Sequence, residues 1–288
     1  MRHTLLAASF LGLTGLALGG AHAQEPQGTL QRIAQSKTIR LGYLKEGVPF
    51  SFAEEPGKPA GYSVDLCRRV VAGIQQQLGL PSLDITWVEV TSANRFDRVV
   101  DGSIDLECGT STNTVSRQKS VDFSLMTWVD GGSFLVKAPN PARRLSDLTG
   151  KKIAVMEGTT TERALRDVLS KKYINAEVLV VKDHLEGLNA VDRGTADAYA
   201  SDRTILIGLA LAIQGQMAVA LADEQFSYEP YGLVLRRNDA DFKQAVNQVL
   251  AELYRSGRVI EVYDRWFGKL GKPTEMLIAM YLLNGLPQ

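Results

Sequence analysis

Between Ile104 and Ser124 the chain gathers side chains suited to holding an anion. The apolar alternation from Ile104 to Cys108 predicts a short strand, and Gly109 breaks it. Thr110, Ser111, Thr112 and Thr114 follow in close succession, with Arg117 behind them. Thr114 is a candidate N-cap for a short helix. Free backbone N–H groups at such a turn converge with the hydroxyls on one point. Arg117 adds a planar fork that matches a carboxylate. Taken alone, the same residues also fit a capped surface turn with a solvated arginine. A second hydroxyl-rich turn runs from Glu157 to Glu162, where Gly158 frees the backbone and Thr159, Thr160 and Thr161 can cap a helix.

The pattern Thr-x-Thr-x-x-Arg-x-x-x-Val-Asp-Phe-Ser, from Thr112 to Ser124, resembles the ligand-binding segment of periplasmic amino-acid-binding proteins that serve ABC transporters. The resemblance covers almost all of the chain after the N-terminal leader. Through Thr91 to Arg95, Glu107-Cys108-Gly109 and Lys182-Asp183-His184 it is strongest to the glutamate/aspartate-binding branch. It implies a two-lobed periplasmic-binding-protein fold of type II with a two-strand hinge, a small-molecule amino acid as ligand and a membrane ABC permease as transient partner. It implies roles for residues as well. Arg117 would clamp the α-carboxylate, with Thr112, the backbone at Thr110 and the opposed Thr159 and Thr160. Asp202 would take the ammonium; its plainer reading is a helix N-cap. Arg95 and His184 would face the distal end of the ligand, where a solvated loop is the plainer reading of His184, and Ser92 is counted among the ligand-binding residues.

One position departs from that branch. An arginine is usual in the loop after the first strand; here the matching residue is Leu44, followed by Lys45. Lysine does not replace a bidentate guanidinium, so glutamine, asparagine or another neutral polar ligand stays open beside glutamate and aspartate.

The elements that must position these groups read as α/β. Arg2 and His3, the apolar run Leu5 to Leu18 and Ala21-His22-Ala23 form a signal peptide over residues 1–23, with Gln24 the expected first mature residue. Export to the periplasm as a soluble monomer is expected. Thr29 to Gln35 predicts a docking helix and Thr38 to Tyr43 a strand. Val48 to Phe52 then forms a loop at the strand's carboxyl end, which makes Phe50 and Phe52 candidates for the pocket wall; simple packing is their other reading. Leu66, Val70, Ile74 and Leu78 recur at helical spacing. Leu83 to Val90, Glu177 to Val181, Ala196 to Ala200 and Tyr231 to Leu235 predict strands.

Two crossovers, at Thr127 to Gly132 and Phe226 to Gly232, divide the chain. Residues 24–129 and 227–288 form one doubly wound lobe and 130–226 the other.

Equal counts of 32 basic and 32 acidic residues argue against a nucleic-acid partner. Three histidines and two cysteines without metal-like spacing argue against zinc. No cofactor is expected. Cys67 and Cys108 lie on a predicted helix and at a predicted strand end, and free core thiols are favoured over a disulfide. Asp122 reads as structural. An enzyme on the same scaffold, with Glu157 or His184 as general acid, is the alternative from another class; a receptor-reporting sensor partner is a third.

Overall fold

The computed structural model describes residues 28–139 and 142–287. The expected signal peptide and its cleavage point lie outside the described residues. Two five-stranded sheets organise the chain. In the first, the order is Asp84–Val90, Thr38–Leu44, Leu106–Glu107, Glu229–Arg236 and Val121–Asp130. The first three strands are parallel; Glu229–Arg236 is antiparallel to both of its neighbours. The second sheet repeats this plan with Glu177–Val181, Lys152–Met156, Ala198–Asp202, Gly132–Lys137 and Val219–Leu221. Its first three strands are again parallel, and the last two run antiparallel to their neighbours. This is the two-lobed type II arrangement. The chain leaves the first sheet after Asp130, enters the second at Gly132 and returns at Glu229. The two crossover segments are tied side by side: the Gly132 N–H donates to Ser227 Oγ at 2.8 Å, and the Phe226 N–H donates to the Gly132 carbonyl at 2.8 Å.

Local sequence explains the supporting helices. Tyr62–Gln77 buries Leu66, Cys67, Val70 and Ile74, one face at helical spacing, against the first sheet. Thr29–Ser36 docks through Thr29, whose backbone N–H donates to Asp239 Oδ2 at 3.0 Å; the other oxygen of Asp239 caps the helix Ala240–Arg255. Asp122 accepts from Lys243 Nζ at 3.1 Å, a structural pairing.

Three expectations need correction. Cys67 and Cys108 are joined as a disulfide, with Cα atoms 6.1 Å apart. The inner face of helix Tyr62–Gln77 crosses the end of strand Leu106–Glu107, so the two small core residues meet; no pattern in either segment alone carries that registry. Phe50 is fully buried and does not face the cleft. It packs edge-on to Tyr62, Trp128 and Tyr231 and against Phe267, with ring centroids 5.1–6.0 Å apart. Phe52 is half-buried against Trp266. Both are displaced from the pocket because the predicted loop folds into a small antiparallel sheet of Glu46–Gly47, Ser51–Glu55 and Lys58–Ala60.

Candidate functional site

The carboxyl ends of the parallel strands in both lobes point to one place, the expected position of a ligand in open α/β sheets. There the lobes enclose a cavity of about 30 Å³. The first lobe lines it with Ser92, Arg95, Thr110 and Arg117. The second lines it with Thr159, Thr160, Thr161, His184 and Asp202, with Met156, Ser201 and Ile205 filling the remaining wall. Eight residues singled out in the sequence thus meet in one space. Thr112 stands just outside the lining and bridges the lobes. Its hydroxyl lies 3.1 Å from Thr160 Oγ1 and donates to Glu229 Oε2 at 2.7 Å.

Arg117 is buried at the start of a single 3-10 turn, Arg117–Lys119. Thr114 is not the N-cap expected of it: Ser116 holds that position, without a side-chain capping bond, and the Thr114 hydroxyl accepts from the Arg117 N–H at 3.2 Å in the turn before it. Arg117 Nη1 donates to the Thr112 carbonyl at 2.9 Å. The guanidinium groups of Arg117 and Arg95 both lie against the Phe96 ring, 4.8 and 4.6 Å from its centroid. Arg95 is fixed further by Nε donating to Ser111 Oγ at 2.8 Å and Nη1 donating to the Ser92 carbonyl. Burial, then the charges of Arg95 and Arg163, lower the Arg117 pKa to about 10. Arg117 nevertheless stays a cation at neutral pH, with Glu229 and Glu107 offsetting part of the lowering.

Opposite stands the helix Thr160–Lys171. Thr159 caps it, accepting from the Glu162 N–H at 3.0 Å. The first-turn N–H groups of Thr160 and Thr161 have no partner within the helix and carry the positive end of its dipole. A carboxylate placed between Arg117 and this helix end therefore meets donors from both lobes.

Asp202 occupies the N-cap position of helix Arg203–Ala212, yet its side chain makes no capping bond. Its carboxylate accepts from the Thr161 hydroxyl and the Tyr231 hydroxyl instead. The plain capping reading therefore fails. Burial, then Glu229 and Asp130, push the Asp202 carboxyl up to about 7; Asp130 itself is raised to about 6, chiefly by burial. Buried Asp202 and Glu229, with half-buried Asp130 beside them, thus favour the arrival of a cation.

His184 starts helix His184–Asp192, and its Nδ1 lies 2.7 Å from the Tyr199 hydroxyl. Burial holds its pKa down at about 4, while the neighbouring Asp183 pulls the other way. The ring is neutral at physiological pH. Nδ1 is engaged with the Tyr199 hydroxyl, which leaves Nε2 for a further partner. Such a ring positions an acceptor but is a poor general acid, and Glu157 is exposed and outside the cavity lining.

Leu44 is buried in an apolar cluster with Val90, Val99, Ile104, Val121, Phe123 and Val234, while Lys45 is exposed and lines no part of the cavity. No sequence pattern singles out Tyr231 or Glu229 as a site residue, and Thr161 is marked only as a capping threonine. Tyr231 lies on a predicted strand, and no local signal marks a strand tyrosine whose hydroxyl reaches across to the other lobe. Thr161 stood in the recognised turn.

Among the described residues no cluster of His, Cys, Asp and Glu is arranged to hold a metal ion, and no helix is long and apolar enough to cross a membrane.

A two-lobed chain with a small polar chamber at its hinge is the architecture of a solute receptor. Residues 39–269 match the bacterial extracellular solute-binding proteins, family 3, and the chain belongs to that family. It is 37% identical to the L-glutamate/L-aspartate-binding protein of Pseudomonas aeruginosa over 85% of this chain and 82% of that protein. It is 31% identical to the glutamate/aspartate import solute-binding protein of Salmonella typhimurium over 88% of this chain and 85% of that protein. Among solved structures it is similar to a mutant of ArgBP from T. maritima, at 25% identity and a TM-score of 0.72, covering 83% of this chain and 99% of that one.

Proposed function

We propose that this protein captures glutamate or aspartate outside the cytoplasm, in the periplasm after removal of residues 1–23, and delivers it to an ABC permease for import. The observation that carries the reading is that Arg117 and Asp202, from different lobes, line one enclosed chamber. A zwitterion has its carboxylate and ammonium on one carbon, and each needs a buried partner of opposite charge. Arg117 and the N–H groups at the start of Thr160–Lys171 take the α-carboxylate. Asp202 takes the ammonium. Arg95, Ser92 and the neutral His184 ring receive the distal carboxylate. Because the ligand contacts both lobes, it shifts the open–closed equilibrium toward closure, the form a permease can distinguish. The two relatives named for glutamate and aspartate support the ligand class.

Buried Leu44 in place of the usual arginine favours a second reading, a neutral polar amino acid such as glutamine or asparagine. A melting-shift panel of the common amino acids tests both, since a ligand that binds the folded state raises the melting temperature by mass action. The largest shifts are expected for glutamate and aspartate. Shifts confined to glutamine and asparagine would select the second reading, and no shift with any amino acid would remove both.

A further inference from the structure

Beneath the two arginines lies a charged group that the binding scheme does not use. Glu107 is fully buried on the central strand Leu106–Glu107, in register with Gly42 and Val234 on either side. Neither of its carboxylate oxygens makes a well-formed hydrogen bond; the Ser111 hydroxyl is a donor close enough to favour the anion. A native buried carboxylate left bare is rare and calls for an explanation. The nearest cations do not supply a bond: Arg95 is occupied by Ser111 and the Ser92 carbonyl, and Arg117 by the Thr112 carbonyl. Burial raises its pKa, and the charge of Arg95, the Ser111 hydroxyl as donor and the charge of Arg117 only partly offset that.

The space around the carboxylate explains why it is bare. A Cβ built on Gly109 would lie 2.0 Å from Glu107 Oε1 and 2.9 Å from Leu44 Cδ1. The carboxylate and the Leu44 methyl thus crowd the same point above Gly109, which only glycine tolerates. An arginine at position 44 would start beside this carboxylate; the leucine offers it a methyl group.

We propose that Glu107 is a specificity-determining residue, a buried anion that touches no ligand and sets how strongly the chamber prefers a ligand ending in a carboxylate over the corresponding amide. The inference rests on the amino-acid-binding reading above. An anion close to Arg95 and Arg117 subtracts from the positive potential they project into the chamber. It thereby penalises a second ligand carboxylate, and an amide is spared that penalty. With no guanidinium at position 44 to neutralise Glu107, the penalty stands in this chain. Unit charges separated by several ångströms in a protein of effective dielectric near 20 change binding on the order of tenfold.

The test is calorimetric titration of glutamate and of glutamine into the wild type, Glu107→Gln and Glu107→Met. Both variants remove an unbonded buried charge and are expected to melt at or above the wild-type temperature. The expected result is a glutamate-to-glutamine affinity ratio raised roughly tenfold in both, through tighter glutamate binding with glutamine little changed. An unchanged ratio, or one that moves toward glutamine, overturns the proposal while leaving the binding site intact. Marked destabilisation of both variants overturns it too, because it would show the carboxylate to be a structural partner. If the wild type binds neither ligand, the amino-acid reading fails first and this inference falls with it.

Discussion

Thr112 and Thr160, from opposite lobes, hold their hydroxyl oxygens 3.1 Å apart and both donate to the same oxygen of Glu229, at 2.7 and 2.6 Å. The other oxygen of Glu229 accepts from Ser227 Oγ at 2.6 Å. In this clasp the Thr112–Glu229 bond lies within the first lobe, whereas both contacts of Thr160 cross between the lobes and form only when the lobes are together. The Thr160 bonds thus couple the second lobe to a carboxylate that the first lobe already holds.

Thr160→Val keeps the shape and removes the donor to a buried carboxylate. Hydrogen bonds to charged groups are worth about 1.5–3 kcal/mol, so affinity should fall roughly ten- to a hundredfold. The melting temperature of the ligand-free protein should change little. Titration calorimetry beside a ligand-free melt checks this; equal loss in both would mean that the clasp holds the resting fold.

The acid cluster predicts a pH dependence. With its carboxyl raised to about 7, Asp202 is largely protonated in mildly acidic solution and ionised above neutrality. An ammonium group pairs with the anion, so affinity should decline as pH falls from about 8 to about 5, with a proton released on binding near neutrality. The stability of the ligand-free closed form runs the other way. A carboxyl raised on folding stabilises most fully below its ordinary pKa of 3.8, and that contribution is lost as pH rises through about 7. Titrations in two buffers of different ionisation heat measure the released proton, and Asp202→Asn should abolish it. Release of the same size in that variant would assign the proton elsewhere.

A contact remote from the cavity also reports closure. A Cβ on Gly208, in the second-lobe helix Arg203–Ala212, would lie 2.6 Å from the carbonyl oxygen of Val48 in the first lobe. Gly208→Val should therefore hold the cleft ajar. Small-angle scattering with saturating ligand should show a larger radius of gyration than the wild type, and affinity should drop at least tenfold although no ligand contact has changed. A variant that compacts and binds normally would show that the loop yields.

The disulfide should act on stability alone. It closes a loop with a sequence separation of 41, for which chain entropy gives about 3–4 kcal/mol. The Cys67→Ser, Cys108→Ser double variant should melt several degrees lower while binding its ligand with unchanged stoichiometry. Lost stoichiometry would place the bond in the maintenance of the site.

How far the sequence reaches depends on the range of the interaction. Leu66, Val70 and Ile74 share one helix face, and Arg117, Thr159 and Asp202 sit at strand ends that topology sends to one cleft, so their positions follow from local pattern. Phe50 and Phe52 shared the strand-end signal but not the outcome, because a hairpin turned them into the aromatic core. Whether Cys67 meets Cys108 depends on how a helix is rotated on a sheet. That Tyr231 meets Asp202 depends on how far the lobes have closed. Neither quantity is encoded in a single segment, and the bare carboxylate of Glu107 becomes visible only once Leu44 and Gly109 are placed around it.

Arg117 and Asp202 are proposed to grip the two charged groups of one amino acid. Titration of glutamate into the wild type, Arg117→Ala and Arg117→Lys tests this grip most directly. Stranding a buried carboxylate costs about 2–5 kcal/mol, so the alanine variant should lose at least thirtyfold in affinity. The lysine variant, which keeps the charge without the fork, should fall between it and the wild type. Near-normal glutamate binding by Arg117→Ala would contradict the account.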